Sequence, residues 1–172
     1  WKRLEPVLRE VREMWPDLEI SIDTSWASVV LQASDLIGKF IVNDISAGED
    51  DPQMLPLVGR LGLRFIAMHK RGDSRTMQSM TDYEDVVEEG ISYFKEFAAK
   101  AERNGVKDWI LDPGFGFAKT VSQNYQMMRK LRILDAGSTT LLAGSSYEYK
   151  EIADANKAVQ ARIDAGEEGL TK

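Results

Sequence analysis

The stretch Trp109-Ile-Leu-Asp-Pro-Gly-Phe-Gly-Phe-Ala-Lys119 decides the fold of this chain. Its first three residues form an apolar run that is typical of a strand in a parallel sheet covered on both faces. Asp112 ends that strand, because Pro113 cannot continue a central ladder and the glycines that follow favour a turn. Ligands of α/β folds bind beyond the carboxyl ends of strands, so the turn is a candidate binding site. The alternative is a tight turn in which Asp112 caps backbone N–H groups and Lys119 lies in solvent.

Strands and helices alternate on either side of this stretch, which predicts a parallel α/β sheet. Apolar periodicity and glycine or proline stops define the elements. They are helix 1–15, strand 18–22, helix 26–37, strand 40–42, helix 53–61, strand 64–68, helix 83–103, strand 109–111, helix 123–133, strand 138–143 and helix 149–165. The length of 172 residues predicts a single domain. Alternation alone does not choose between a barrel and an open sheet.

Polar side chains recur where the first four predicted strands end. Asp23 and Asn43 follow the first two strands, Met68 with Lys70 ends the third, and Asp112 ends the fourth. Right-handed crossovers place the carboxyl ends of parallel strands at the same edge of the sheet. Residues that are far apart in the sequence can therefore converge on one site, and this convergence is the main argument for a function.

Composition narrows the classes of function. The chain has no cysteine and one histidine, which excludes thiolate chemistry and a multi-histidine metal centre. The absence of cysteine fits a reducing compartment, so we expect a cytoplasmic protein. A net charge of −6 argues against nucleic acid or an anionic membrane as the main partner, and no run reaches the ~20 apolar residues of a membrane span. The chain opens without methionine inside a helical pattern, so we expect it to be a piece of a longer protein.

Two charged loops have simple interpretations. The acidic run Glu49–Asp51 is predicted to be a solvated loop, because adjacent carboxylates without further ligands make a poor magnesium cage. Lys70, Arg71 and Arg75 could hold a phosphate, but a solvated basic loop is at least as good a prediction. His69 is predicted to be a loop or packed residue rather than a base. The helix 149–165 is predicted to cover an edge of the sheet.

Four motifs, in the order of the strands, resemble dihydropteroate synthase, an eight-stranded (β/α) barrel of folate biosynthesis. They are Ser21-Ile-Asp-Thr24, Val42-Asn-Asp-Ile-Ser-Ala-Gly48, Ala67-Met-His-Lys-Arg-Gly72 and Leu111-Asp-Pro-Gly-Phe-Gly-Phe-Ala-Lys119. Their order and spacing match strands three to six of that barrel, and the similarity covers about residues 1–144. The resemblance implies parallel (β/α) units of TIM-barrel type, here an incomplete barrel of about five strands. An open doubly wound sheet is the alternative.

The resemblance implies a transferase that joins p-aminobenzoate to a dihydropterin diphosphate and expels pyrophosphate. The residues that it implies as pterin contacts are Asp23, Asn43, Ile45, Met68 and Asp112. Carboxylate and amide acceptors suit the donors on a 2-amino-4-oxo pyrimidine edge. Phe117 and Lys119 are implied on the p-aminobenzoate side. No catalytic residue is assigned, because the reaction needs charge stabilisation and positioning rather than a covalent nucleophile.

The chain also departs from the family pattern. The first two strands have no counterpart here, and one of their loops helps to hold magnesium and diphosphate in the family. Magnesium is therefore implied only by the resemblance, and no metal ligand is assigned. Ser145–Glu148 stands where the family has Ser-Arg-Lys, the eighth strand is missing, and residues 145–172 are predicted to be a divergent helical segment. Five strands cannot close the barrel, so we expect an open sheet with helices on both faces or closure through a second copy, a homodimer.

Three hypotheses of function stay open. In the first, the chain derives from an active dihydropteroate synthase. In the second, it is a non-catalytic pterin-binding module, and in the third it is a truncated or engineered scaffold fragment. Because residues for the leaving group are lacking, we expect the polypeptide alone to make little or no dihydropteroate.

Overall fold

The computed structural model of the chain describes residues 1–72, 76, 79–131 and 140–141. Within these ranges, helices and strands alternate as predicted. The helices are α1 (Leu4–Met14), α2 (Ala27–Ile37), α3 (Met54–Leu61), α4 (Val86–Arg103) and α5 (Val121–Arg129). The strands are β1 (Ser21–Asp23), β2 (Ile41–Asp44), β3 (Arg64–Met68), β4 (Trp109–Asp112) and β5 (Thr140–Leu141). The predicted helix 149–165 and the segment 145–148 lie outside the described residues.

All strands are parallel, and their spatial order is the same as their order in the chain, from β1 to β5. Right-handed crossovers between successive neighbours place all connecting helices on one face. Each helix accordingly contacts the next one in the chain. A doubly wound sheet, with helices on both faces, requires a reversal in strand order, and the described strands show none. The open sheet of that alternative is therefore found among the described residues, but its double winding is not. The described strands form an open arc of TIM-barrel type. No helix within the described residues is both long and apolar enough to cross a membrane.

The two faces of the sheet differ in what covers them. One row of buried apolar side chains crosses four strands in register and packs against the helices. It consists of Ile22, Val42, Phe65 and Trp109. Because side chains alternate along a strand, the residues on either side of this row point to the opposite face. We call that opposite face the inner face and define it by Asp23, Asn43, Ile66, Met68, Ile110 and Asp112.

The strand predicted over 18–22 begins later, at Ser21. The guanidinium of Arg12 donates hydrogen bonds to the carbonyl oxygens of Pro16 and Leu18, which holds this segment against α1. The side chain of Leu18 is about half exposed, at 49%. Pairing with β2 starts only where Ser21 meets Ile41.

The predicted apolar face of α1 is only partly covered. Leu8 is buried, whereas Val7, Met14 and Trp15 are 51–54% exposed. A groove of about 630 Å³ lies between α1 and β1 at the edge of the sheet. The periodicity therefore identified the helix, but only part of its stripe contributes to the core.

Helix α4 begins at Val86, three residues later than predicted. The carboxylate of Asp85 accepts hydrogen bonds from the backbone N–H groups of Val87 and Glu88, which is the usual role of an aspartate at this position. Tyr83 lies outside the helix and packs against the core instead.

Candidate binding site

Four of the predicted ligand-contacting residues converge on the inner face. Asp23 and Asn43 are paired across β1 and β2, and Met68 and Asp112 are paired across β3 and β4. Asn43 is also in register with Ile66, two residues before Met68, so the two pairs occupy successive rows of the same face. Since these rows are the last ones of the parallel strands, the residues form a single patch at the carboxyl end. Ile45 follows immediately beyond β2 and is partly exposed.

The polar groups of this patch keep hydrogen-bonding capacity for a ligand. Within the described residues, the carboxylate of Asp23 and the side-chain amide of Asn43 have no hydrogen-bond partner. Asp112 uses one carboxylate oxygen, Oδ1, to accept a bond of 2.8 Å from the backbone N–H of Gly114. Its second oxygen accepts none from the described part of the chain. Asp23 is exposed to solvent, whereas Asn43 and Asp112 are partly buried. Polar groups in partly desolvated positions are normally satisfied, and a ligand would do this for Asn43 and Asp112.

The electrostatics of the patch also favour a ligand with donor groups. Burial raises the pKa of the Asp112 carboxyl, although the Gly114 N–H and the Lys119 ammonium act in the opposite direction. Burial and the negative charge of Asp44 together raise the pKa of Asp23. Both shifts mean that the ionised carboxylates are incompletely stabilised by the protein. A ligand that donates hydrogen bonds to them would supply the missing stabilisation.

Lys119 is buried in the loop between β4 and α5, and is only 7% exposed. Its ammonium donates to the carbonyl oxygens of Phe117 at 3.0 Å, Gly114 at 3.1 Å and His69 at 3.5 Å. Burial lowers the pKa of Lys119 to about 8, while the charge of Asp112 opposes this shift. The tight-turn alternative was thus correct in that Asp112 caps an N–H group and wrong in placing Lys119 in solvent. The contact of Lys119 with p-aminobenzoate stays a prediction.

The loop between β4 and α5 packs closely against the end of β3. Gly114 has a φ of 66°, and a Cβ at this position would lie 2.3 Å from the carbonyl oxygen of His69 and 3.1 Å from Cγ of Met68. Only glycine fits here, which explains the first glycine of the loop. Phe115 packs against the core, whereas Phe117 is partly exposed and is the aromatic residue of this loop left for a ligand.

Asp44 is a buried carboxylate that sequence reasoning missed. It accepts hydrogen bonds from Oγ of Ser25 at 2.7 Å, from N–H and Oγ of Ser46 at 2.8 and 2.7 Å, and from N–H of Gly48 at 2.9 Å. The local signal was present, because an aspartate followed by a serine two residues later is typical of an Asx turn. The bond to Ser25 could not be found this way, since its partner lies in another loop.

The acidic run after β2 is largely solvated, as predicted, because the side chains of Glu49 and Asp50 are 45% and 53% exposed. Its carboxylates are nevertheless not unpaired. Each carboxylate has a partner from a different part of the chain. Glu49 pairs with Lys100 at 3.5 Å, Asp50 pairs with Lys70 at 3.2 Å, and Asp51 accepts a bond of 2.9 Å from the N–H of Ala27. The loop thus connects α4, β3 and the first turn of α2.

The basic loop after β3 is also internally paired at its start. The side chain of Lys70 is only 5% exposed, which contradicts a solvated position. Arg71 forms an ion pair with Glu89, and its guanidinium lies 4.1 Å from the ring centroid of Tyr83. The other basic residue of interest, Arg75, lies outside the described residues.

The prediction that His69 is a packed residue is confirmed. It is 2% exposed, and its ring centroid lies 5.0 Å from that of Tyr93 in an edge-to-face arrangement. Burial, with smaller contributions from Lys119 and Arg71, lowers its pKa to about 3. The ring is therefore neutral near pH 7.

Magnesium does not fit the described residues. No group of three or more potential metal-binding side chains occurs among them. Asp44 is saturated by protein donors, and the carboxylates of Glu49–Asp51 are already paired. Magnesium stays a prediction of the resemblance.

Comparison with known proteins agrees with this geometry. Residues 1–164 match the family model described as pterin binding enzyme. Dihydropteroate synthase from Synechocystis sp. is 39% identical over 147 residues, which are 84% of this chain and 50% of that protein. The dihydropteroate synthase of Escherichia coli K12 is 34% identical over 147 residues, or 84% of this chain and 51% of that protein. The chain thus spans about half the length of these relatives.

Solved structures give the same result. The crystal structure of dihydropteroate synthase from Thermus thermophilus with 4-aminobenzoate has a TM-score of 0.73 and 30% identity, covering 97% of this chain and 63% of that one. The structure of the same enzyme with 6HMPPP has a TM-score of 0.73 and 31% identity, covering 95% and 68%. The predicted resemblance and the predicted TIM-barrel type of fold are confirmed.

Proposed function

This chain belongs to the pterin binding enzyme family, and from that premise we propose that it forms the pterin-recognising part of a dihydropteroate synthase. The observation that carries the proposal is the shared inner face of Asp23, Asn43, Met68 and Asp112 at the carboxyl end of the sheet. The ligands named for the Thermus thermophilus enzyme support it by analogy. The reaction would join p-aminobenzoate to a dihydropterin diphosphate.

Recognition of the pterin would use complementary donors and acceptors. The amino group and ring N–H of a 2-amino-4-oxo pyrimidine edge donate hydrogen bonds, and an ionised carboxylate can only accept them. Asp112 and Asp23 would therefore receive donors, and Asn43 could either donate or accept. Met68 is buried beside them and offers an apolar surface for the flat ring.

The proposed reaction places modest demands on these side chains. The bond between the pterin methylene carbon and the diphosphate oxygen breaks, and pyrophosphate leaves with the electron pair. The amine nitrogen of p-aminobenzoate forms the new C–N bond and then loses a proton. Positive charge that develops on the pterin would be stabilised by the carboxylates of the inner face, because they are held in place before the reaction.

The described residues offer few unpaired cations that could stabilise the pyrophosphate leaving group. Lys70 pairs with Asp50, Arg71 pairs with Glu89, and Lys119 is held by carbonyl oxygens. A cation that is already paired contributes less to a diphosphate than an unpaired one. We therefore expect this polypeptide to bind a pterin and to turn it over slowly.

Titration calorimetry with 6-hydroxymethylpterin tests the proposal. We expect Asp112→Asn to weaken binding by about 10- to 100-fold, because it replaces an acceptor that is charged and faces ligand donors. Its carbonyl oxygen can still accept from the N–H of Gly114, so the loop is retained.

The matched control is Asp108→Asn, at the opposite end of the same strand. Asp108 forms an exposed ion pair of 2.7 Å with Arg64, and such pairs contribute little to stability. We expect the dissociation constant of 6-hydroxymethylpterin for Asp108→Asn to stay within about twofold of its value for the unsubstituted protein. The proposal is wrong if the unsubstituted protein does not bind the pterin, or if both variants bind equally.

A further inference from the structure

Asp44 connects the ends of β1 and β2, which carry two of the three proposed polar pterin contacts, Asp23 and Asn43. We infer that it is a positioning residue, which fixes Asp23, Asn43 and Ile45 for the ligand without touching it. This inference rests on the proposed function and deepens it.

Asp44 cannot itself reach a ligand on the inner face. It is fully buried and in register with Ala67, on the side of the sheet that faces the helices. The neighbouring residue, Asn43, points to the inner face because side chains alternate along β2. Asp44 therefore acts from behind the binding surface.

Its hydrogen bonds connect the loops that follow β1 and β2. Ser25, which donates to Asp44 Oδ1, lies two residues after Asp23. Ser46 donates to the same oxygen and directly follows Ile45. The carboxylate of Asp44 thus holds the loop after β1, which follows Asp23, against the loop after β2, which contains Ile45.

Further hydrogen bonds join the loops that follow β1 and β2, and we call the region where these loops meet around Asp44 the loop junction. The N–H of Thr24 donates to the carbonyl oxygen of Asn43 at 3.0 Å, next to the Ser25 contact. Asp51 accepts from the N–H of Ala27, so the loop after β2 also holds the start of α2. Among the described residues, only the carboxylate of Asp44 bonds to a side chain of the loop after β1, Ser25, and also to a side chain of the loop after β2, Ser46.

The four hydrogen bonds to the Asp44 carboxylate restrict the movement of the loop junction. A carboxylate has only acceptors when it is ionised, and every partner of Asp44 is an N–H or O–H donor. Bonds to a charged group are shorter and stronger than neutral ones. Loss of the carboxylate would leave buried donors unpaired and free the two loops to shift, and a small displacement is enough to impair a preorganised site.

The test measures the dissociation constant of 6-hydroxymethylpterin by calorimetry for two variants. We expect Ser25→Ala, which removes a single bond to Asp44, to weaken binding about 3- to 10-fold. Asp44→Asn should weaken it at least about 10-fold, because its amide would place a donor against a donor. If Asp44→Asn does not fold, Ser25→Ala carries the test.

The control Leu63→Ala separates positioning from loss of stability. Leu63 is 3% exposed and precedes β3 at the far end of the sheet. We expect this variant to be destabilised and to bind the pterin within about twofold of the unsubstituted protein. Equal weakening in Leu63→Ala and Ser25→Ala would overturn the inference.

A double-mutant cycle gives a second readout. If Asp44 and Ser25 act through Asp23, then Ser25→Ala should cost less than about twofold in an Asp23→Ala background. Fully additive losses of affinity in the double variant would contradict this.

Unchanged binding in Ser25→Ala and Asp44→Asn would also overturn the inference while leaving the proposed function intact. Absence of binding by the unsubstituted protein would overturn both.

Discussion

Gly114→Ala is expected to lower the free energy of unfolding by about 3 kcal/mol and to remove measurable pterin binding. The methyl group would lie 2.3 Å from the carbonyl oxygen of His69, which is backbone and cannot rotate away. The left-handed conformation, with a φ of 66°, adds a further cost for any residue with a Cβ. Relief would require the loop to move off β3, and Asp112 and Lys119 would move with it. Urea unfolding and calorimetry measure the two effects.

Gly116→Ala is the matched control in the same loop. Gly116 also has a positive φ, of 83°, but a Cβ there would meet nothing within 4 Å. Only the conformational cost applies, so we expect a loss of about 1 kcal/mol and near-normal pterin binding. Equal losses of stability in the two variants would show that the contact between the loop and β3 does not restrict position 114.

His69 is expected to make the protein sensitive to acid. Its pKa is about 3 in the folded state and near 6.5 in an unfolded chain, because burial disfavours the charged ring. Between these values the unfolded state binds more protons than the folded state, so stability is present above pH 6.5 and is lost as the pH falls towards 3. The expected contribution of this group is a loss of about 3 kcal/mol between pH 7 and pH 4.

The variant His69→Phe isolates this effect. Phenylalanine does not titrate, and it can occupy the aromatic surroundings formed by Tyr93 and Phe94. Asp23 and Asp112 have raised pKa values and change stability in the opposite direction, but they are present in both proteins and cancel in the comparison. We expect urea unfolding to show a shallower loss of stability between pH 7 and pH 4 in His69→Phe. The same slope in both proteins would contradict the neutral, buried histidine.

The parts of the structure that depend on local pattern were predictable. Strand β3 has the predicted bounds, because the apolar run Phe65–Met68 is preceded by Arg64 and followed directly by polar residues. The inner-face patch could be predicted for a related reason: parallel strands bring their carboxyl ends together, and polar residues stood at each end. The start of α5 was also encoded locally, since Thr120 and Gln123 form a capping box, but the helix was predicted to begin two residues late.

The parts that depend on distant partners were not predictable from one sequence. Lys70 and Lys119 look solvated by composition, and each is buried because a partner comes from elsewhere: Asp50 for Lys70 and the carbonyl oxygen of His69 for Lys119. Asp44 likewise gains its role from Ser25 in another loop. Periodicity measures how apolar a face is, but it does not show which polar atoms meet across the fold.

The central claim is that a pterin binds to the inner face at the carboxyl end of the sheet. A titration with 6-hydroxymethylpterin, followed by ¹H–¹⁵N correlation spectra, tests it most directly. The largest shifts are predicted for the backbone N–H groups of Asp23, Asn43, Met68 and Gly114. The claim would be contradicted if those signals stayed unchanged while Leu63, Arg64 and Asp108, at the opposite end of the sheet, shifted instead.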